Sequence, residues 1–193
     1  MKTAIKQIYG AWNEGYALDK HTVSSVAIGT NAYGHTEFKT IRTEVGEALY
    51  QLKYQQDWSQ VDGLATELAA QIYPRFHQIG LVIPMPPSKQ RERQPVAEIA
   101  SALGEKINKP CFENMLIKSS NGKSLKDIKS REEKMLALTG TLTYNDVISK
   151  DGKWNALLID DIYDTGATLD AACAVLKTYP KIANIYIATL TWK

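Results

Sequence analysis

With 193 residues and 44% hydrophobic content, the chain can bury one good core but not two full-sized ones. Its 23 basic and 21 acidic residues leave a formal charge of +2, which excludes a field large enough to hold nucleic acid or an anionic membrane without a local patch. No apolar stretch approaches the roughly 20 residues of a membrane helix, residues 1–10 lack the apolar core of a secretory signal, and Cys111 and Cys173 make neither a zinc knuckle nor a disulfide framework, so the expectation is a cytoplasmic protein with two buried thiols.

In chain order, residues 1–42 mix aromatic residues with Gly10, Gly15, Gly29 and Gly34. Residues 22–28 are β-prone and 30–36 have turn composition, which predicts a small β-rich N-terminal lobe over 1–42, ahead of a main domain over 43–193. Val45, Ala48, Leu49 and Leu52 fall on one helical stripe, predicting a helix over about 43–54. Val61, Leu64, Ala65, Leu68 and Ile72 give a second, which Pro74 ends. Leu81, Val82 and Ile83 then read as a buried strand leaving the sheet at Pro84, Pro86 and Pro87.

Val96, Ile99, Ala100, Leu103 and Ile107 mark another helix, with Pro95 suited to its first turn. After a short strand near 115–118, the stretch 119–134 is almost wholly polar, carries Lys123, Lys126, Lys129 and Arg131, and reads as an exposed loop. A β-prone piece at 139–144 precedes an apolar run at 156–159, a helix over 168–178 and a last strand at 185–190. Strands alternating with helices predict an α/β fold: a parallel sheet flanked by helices.

The segment 157–168 carries the most chemistry. An apolar strand ends in Asp160 and Asp161, and Thr165, Gly166, Ala167 and Thr168 lead into a helix whose Leu169, Ala172, Cys173 and Leu176 face the sheet. At the carboxyl end of a parallel strand this turn lies in the crevice where open α/β sheets take ligands. Backbone N–H groups of Thr165 to Thr168 are then disposed to cradle a phosphate, with Gly166 free to adopt a positive φ. The adjacent carboxylates suit sugar hydroxyls, or a magnesium ion that arrives with the ligand. Acceptors for a diol and donors for a phosphate, one sugar apart, match ribose 5-phosphate. A helix terminus supplies roughly 0.3–2 kcal/mol and a charged hydrogen bond about 1.5–3 kcal/mol, against about 8 kcal/mol for micromolar binding, so several contacts must act together.

The run Leu157-Leu158-Ile159-Asp160-Asp161-Ile162-Tyr163-Asp164-Thr165-Gly166-Ala167-Thr168 resembles the phosphoribosyl pyrophosphate signature of type I phosphoribosyltransferases. Leu52-Lys53-Tyr54 with Asp57, then Val82-Ile83-Pro84-Met85-Pro86, Arg91-Glu92-Arg93 and Ser130-Arg131-Glu132-Glu133 resemble, in order, the ComF-like branch associated with competence. The zinc-binding cysteines often found at the start of that branch are absent. So is the Gly-Phe-Asn usual after Arg-Glu-Arg, because Gln94 and Pro95 follow Arg93.

The resemblance implies a type I phosphoribosyltransferase-like fold and a transferase that binds magnesium-phosphoribosyl pyrophosphate and passes phosphoribosyl to an unknown, nitrogen-bearing acceptor. It assigns Asp160 and Asp161 to the ribose hydroxyls and the metal, Thr165, Gly166, Ala167 and Thr168 to the 5-phosphate, and Asp164, where Thr or Ser is common in the family, to the same ligand-binding turn. The loop with Ser88 and Lys89 falls to the pyrophosphate, Arg91 and Arg93 being lesser candidates, and the lysine-bearing loop to a closing role over the reacting centre. Three alternatives stay open: a non-catalytic phosphoribosyl pyrophosphate-binding regulator, a DNA-uptake accessory protein that meets single-stranded nucleic acid, and an ordinary helix cap beside surface acids. A homodimer is compatible with the family, and no membrane partner is expected.

Overall fold

The computed structural model describes residues 1–89, 91–119, 130 and 140–193. Its centre is a five-stranded sheet in the order β1-β2-β9-β8-β5, built from β1 (Lys6–Gln7), β2 (Glu14–Lys20), β5 (Leu81–Pro84), β8 (Trp154–Tyr163) and β9 (Ile182–Trp192). β2, β9, β8 and β5 run parallel, and β1 is an antiparallel edge strand on β2. The mostly parallel α/β sheet read from the alternation of elements is therefore present.

Strand alternation explains why the central strands read as unbroken apolar runs. On β8, Ala156 and Leu158 point into one core, while Leu157 and Ile159 point into the other, and all four are fully buried. The first core is closed by helix α4 (Ala167–Leu176), through Leu169, Ala172, Cys173 and Leu176, and by the small ribbon of β6 (Leu116–Lys118) and β7 (Leu142–Tyr144). The second is closed by α1 (Glu44–Tyr54), α2 (Gln60–Glu67) and α3 (Pro95–Lys106).

The helix boundaries follow local chemistry. Thr43 caps α1 by accepting the Gly46 N–H at 3.0 Å, and its hydroxyl also donates to the Lys20 carbonyl at 2.6 Å, which ties the helix to the end of β2. A Cβ on Gly46 would lie 2.1 Å from the His21 carbonyl oxygen, so only glycine lets the helix approach this closely. The apolar stripe predicted to run through Ile72 does so, but α2 gives way to a π-helical stretch over Leu68–Ile72 and a 3-10 turn, Tyr73–Arg75, that contains Pro74. Pro95 opens α3 as expected.

Three expectations are corrected. The lobe placed at 1–42 does not stand apart in its first half: β2 is an interior strand paired with β9, from Glu14↔Tyr186 to Lys20↔Trp192. What projects is a separate two-stranded hairpin, β3 (Thr22–Thr30) with β4 (Thr36–Arg42), turned by Asn31, whose side-chain oxygen accepts the N–H groups of Tyr33 and His35, and by Gly34 at φ +79°. β8 runs four residues beyond the apolar stretch, so Asp160 and Asp161 lie within the strand rather than after it. Cys173 is buried as expected, but Cys111 is only half-buried, held where the 110–112 segment adds a short bridge to β5 at Val82.

Candidate functional site

β5 stops at Pro84, opposite Ile159, while β8 continues to Tyr163. Among the described residues the extension gives Asp160 and Asp161 one strand neighbour, β9, where Thr189 lies beside Asp160. On the other side no described strand continues past Pro84, and the loop carrying Ser88 and Lys89 starts there, with the Met85 N–H donating to the Ile159 carbonyl at 2.8 Å. Both side chains of that pair are exposed.

The strand pleat sends the two carboxylates to opposite faces. Asp161 leaves toward the α1 side, where the Lys53 ammonium donates to its Oδ2 in a part-buried ion pair. Asp160 leaves toward the α4 side, its Oδ1 accepting the Asp161 N–H at 2.8 Å. Burial, and next to it the Asp161 carboxylate, push the Asp160 carboxyl up to about 8, against the smaller opposing pull of the Asp161 N–H, Lys53 and Lys118. Burial in turn lowers Lys118, at the end of β6, and the charge of Asp160 offsets part of that. Thr189 next to Asp160 is fully buried, and its hydroxyl has no hydrogen-bond partner among the described residues. The edge thus combines one carboxylate already neutralised by a lysine with another that favours its protonated form until a cation or donor reaches it.

After β8 the chain turns through Asp164 and Thr165, and Gly166 at φ +80° opens α4 without a side-chain cap. Thr165 Oγ1 accepts the Ala167 N–H at a long 3.5 Å. The first turn of α4 therefore offers amides to an anion at the positive end of the helix. Asp164 is exposed, Thr165 and Thr168 are half-buried, and Gly166 and Ala167 are buried. A Cβ at Gly166 would sit 3.1 Å from the Tyr163 ring, so the glycine serves both conformation and space.

The N-terminal segment braces this turn. The Ala11 N–H donates to Asp170 in the first turn of α4 at 2.8 Å, the Tyr163 hydroxyl donates to the Tyr9 carbonyl at 3.2 Å, and Trp12 meets Tyr163 edge-on at 6.3 Å. Sequence reading missed these contacts, because they join residues more than 150 positions apart and no periodicity signals them. It quoted Lys53 in a motif without giving it a role.

Arg93 turns away from the edge: it forms two hydrogen bonds to Glu98, at 3.0 and 2.7 Å, and stacks over Trp58 at 4.1 Å. Trp58 is accordingly a packing group. His21 pairs with Thr191 at 3.2 Å, and burial lowers its pKa. The lysines Lys123, Lys126 and Lys129 and the motif residues from Arg131 lie outside the described residues. Clefts lined by Met1, Arg42 and Glu47 and by Ser101, Asn108 and Cys111 lie away from the acids.

No family model matches the sequence. The backbone is similar to glutamine phosphoribosylpyrophosphate amidotransferase from B. subtilis complexed with ADP and GMP, with TM-score 0.50 and 14% identity over 82% of this chain and 34% of that one. Adenine phosphoribosyl transferase from Trypanosoma brucei, in complex with AMP, pyrophosphate and ribose-5-phosphate, gives TM-score 0.49 and 14% identity over 100% of this chain and 87% of that one. The mostly parallel sheet flanked by helices is the phosphoribosyltransferase fold.

In sequence the chain is 31% identical over 147 residues to competence protein ComFC of Bacillus subtilis (strain 168), covering 75% of this chain and 58% of that protein. It is a ComF-like protein with the phosphoribosyltransferase fold, spanning little more than half the length of that relative. Among the described residues, no helix is long and apolar enough to cross a membrane.

Proposed function

We propose that the edge formed by β8 and α4 binds phosphoribosyl pyrophosphate with magnesium, and that the chain transfers the phosphoribosyl group to a nitrogen acceptor. The observation that carries this reading is the first turn of α4, opened by left-handed Gly166 without a side-chain cap, just beyond a strand that carries Asp160 and Asp161 in its last four residues. In this assignment the amides of Thr165 to Thr168 hold the 5-phosphate, with Asp164 at the rim. Asp160 and Asp161 take the ribose hydroxyls, and Ser88, Lys89 and Lys118 neutralise the pyrophosphate.

The acids fit a magnesium ion that travels with its ligand. Among the described residues no three His, Cys, Asp or Glu side chains gather as a metal cage, and magnesium takes one or two carboxylates when phosphates supply its other ligands. Bound there, the ion would neutralise charge on the departing pyrophosphate. The protein's own work is positioning: Lys53 fixes Asp161, the N-terminal segment fixes the α4 turn, and the sugar is presented with its anomeric carbon open on the face away from the pyrophosphate. The C1–oxygen bond to pyrophosphate breaks as the C1–nitrogen bond forms, and the acceptor's proton leaves to solvent or to a basic group.

A second reading is favoured by the similarity to a competence protein: a phosphoribosyl pyrophosphate-binding regulator, or an accessory of DNA uptake, with no turnover. Calorimetry with phosphoribosyl pyrophosphate, with and without magnesium, and a pyrophosphate-release assay over purine, pyrimidine and amine acceptors separate these. Magnesium-dependent binding that Asp161→Asn weakens, with release for some acceptor, supports the enzyme. Binding without release supports the regulator. Salt-sensitive binding of single-stranded DNA in its place supports the accessory role.

A further inference from the structure

His21 is the corner residue between β2 and the β3–β4 hairpin, and its surroundings fix it closely. Its N–H donates to the Trp192 carbonyl at 2.9 Å, and α1 packs so near that a Cβ on Gly46 would lie 2.1 Å from its carbonyl oxygen. Its ring Nδ1 lies 3.2 Å from Thr191 Oγ1, and the Thr191 hydroxyl in turn donates to the Asp161 carbonyl at 3.1 Å. That chain of bonds selects a tautomer. A carbonyl only accepts, so the hydroxyl's one proton goes to Asp161, and Oγ1 is left to accept from the ring. Nδ1 therefore carries the ring proton, and the lone pair of neutral His21 sits on Nε2. The ring is half-buried, and among the described residues only its Nδ1 is hydrogen-bonded.

The surroundings also keep the ring neutral. Burial, then Arg42 at the end of β4, Lys193 after β9 and Lys53 on α1, lower its pKa, and Asp161 on β8 opposes them. An oriented imidazole with a free lone pair is equipped to take a proton. Sheet order gives it a place in the reaction. In the order β2-β9-β8-β5, the acids stand on β8, the loop of Ser88 and Lys89 leaves from β5 on one side, and His21 hangs from the ends of β2 and β9 on the other. Displacement at the anomeric carbon brings the nucleophile in opposite the departing pyrophosphate, so an acceptor that meets a ribose held at β8 arrives from the side of His21.

We propose that His21 is a catalytic residue of the transfer, its Nε2 taking the proton of the attacking nitrogen. This inference rests on the transferase reading above. As the C1–nitrogen bond forms, pyrophosphate leaves with the electron pair of the C1–oxygen bond and the acceptor's N–H proton passes to Nε2. The resulting imidazolium, disfavoured beside Arg42, Lys193 and Lys53, returns that proton to water.

Two measurements test it. Long-range proton–nitrogen correlation of the imidazoles at neutral pH, with His21→Asn assigning the His21 signals among the three histidines, is expected to show a protonated Nδ1 and an unprotonated Nε2. The opposite tautomer, or a doubly protonated ring, overturns the proposal. Pyrophosphate release over the purine, pyrimidine and amine acceptors is expected to fall at least about 100-fold in kcat in His21→Asn, with phosphoribosyl pyrophosphate affinity unchanged by calorimetry, because asparagine keeps a donor for Thr191. Release at the wild-type rate with binding intact overturns the base and leaves the transferase reading standing. A variant that loses binding as well shows a structural histidine and overturns it too. A wild type that releases no pyrophosphate with any acceptor overturns the transferase reading and the base together.

Discussion

The β8–α4 turn and the β3–β4 hairpin invert one another. The turn buries its apolar residues and holds polar groups with few partners among the described residues: α4 opens without a side-chain cap, the Thr189 hydroxyl has no hydrogen-bond partner there, and the Asp160 carboxyl accepts only the neighbouring Asp161 N–H. The hairpin pairs its backbone groups in a ladder and leaves apolar side chains in water. A buried polar group left unpaired costs roughly 1–3 kcal/mol, which a ligand supplying the missing hydrogen bond would return. Exposed apolar groups recruit a surface. One chain thus carries two regions of opposite character.

Breaking the turn should cost most. Gly166→Val forces a β-branched residue to φ +80° against the Tyr163 ring, which should remove roughly 1–2 kcal/mol of stability and abolish phosphoribosyl pyrophosphate binding. Urea unfolding and calorimetry on one preparation check both. Lys53→Met leaves the part-buried Asp161 carboxylate without its cation. A loss of about 1–2 kcal/mol is expected, less than for a fully buried pair, and Asp161→Asn on that background should recover part of it.

Much of the turn was legible beforehand, because apolar strand, acids, Thr-Gly-Ala-Thr and helix stripe are contiguous and each has a local physical reason. That the acids lie on opposite faces was not read, since the strand was ended at Ile159 and pleat alternation was not carried on to Asp160 and Asp161. The partnership of Lys53 with Asp161, and of Ala11 with Asp170, depends on how distant segments dock. The placing of β2 in a lobe has a related cause: residues 14–20 carry no periodicity of their own, and only the parallel pairing with β9 makes them interior.

A pH effect of intermediate size sharpens the electrostatic side of the comparison. Asp160 is raised in the folded chain, so the folded state holds its proton over a range in which the unfolded state has lost it. Its contribution is therefore fully present below the ordinary carboxylate range and is lost as pH rises toward about 8. Thermal unfolding without divalent cations should show stability falling between pH 5 and 8, roughly the window between the two states' values, more steeply in the wild type than in Asp160→Asn. Equal slopes would mean that this carboxyl ionises normally.

The smallest effect belongs to the hairpin tip. Tyr33→Ser removes an 86% exposed ring and should leave monomer stability within about 0.5 kcal/mol. A larger loss, read by urea unfolding at low protein concentration, would mean that the ribbon packs on the body.

The most direct test of the central claim is an amide chemical-shift titration of the labelled protein with phosphoribosyl pyrophosphate and magnesium. The account predicts that the largest shifts fall on Thr165, Gly166, Ala167 and Thr168, with Asp160 and Asp161 moving beside them and all of them still in Gly166→Val. Saturable shifts that leave these amides untouched, or no shifts at all, would contradict it.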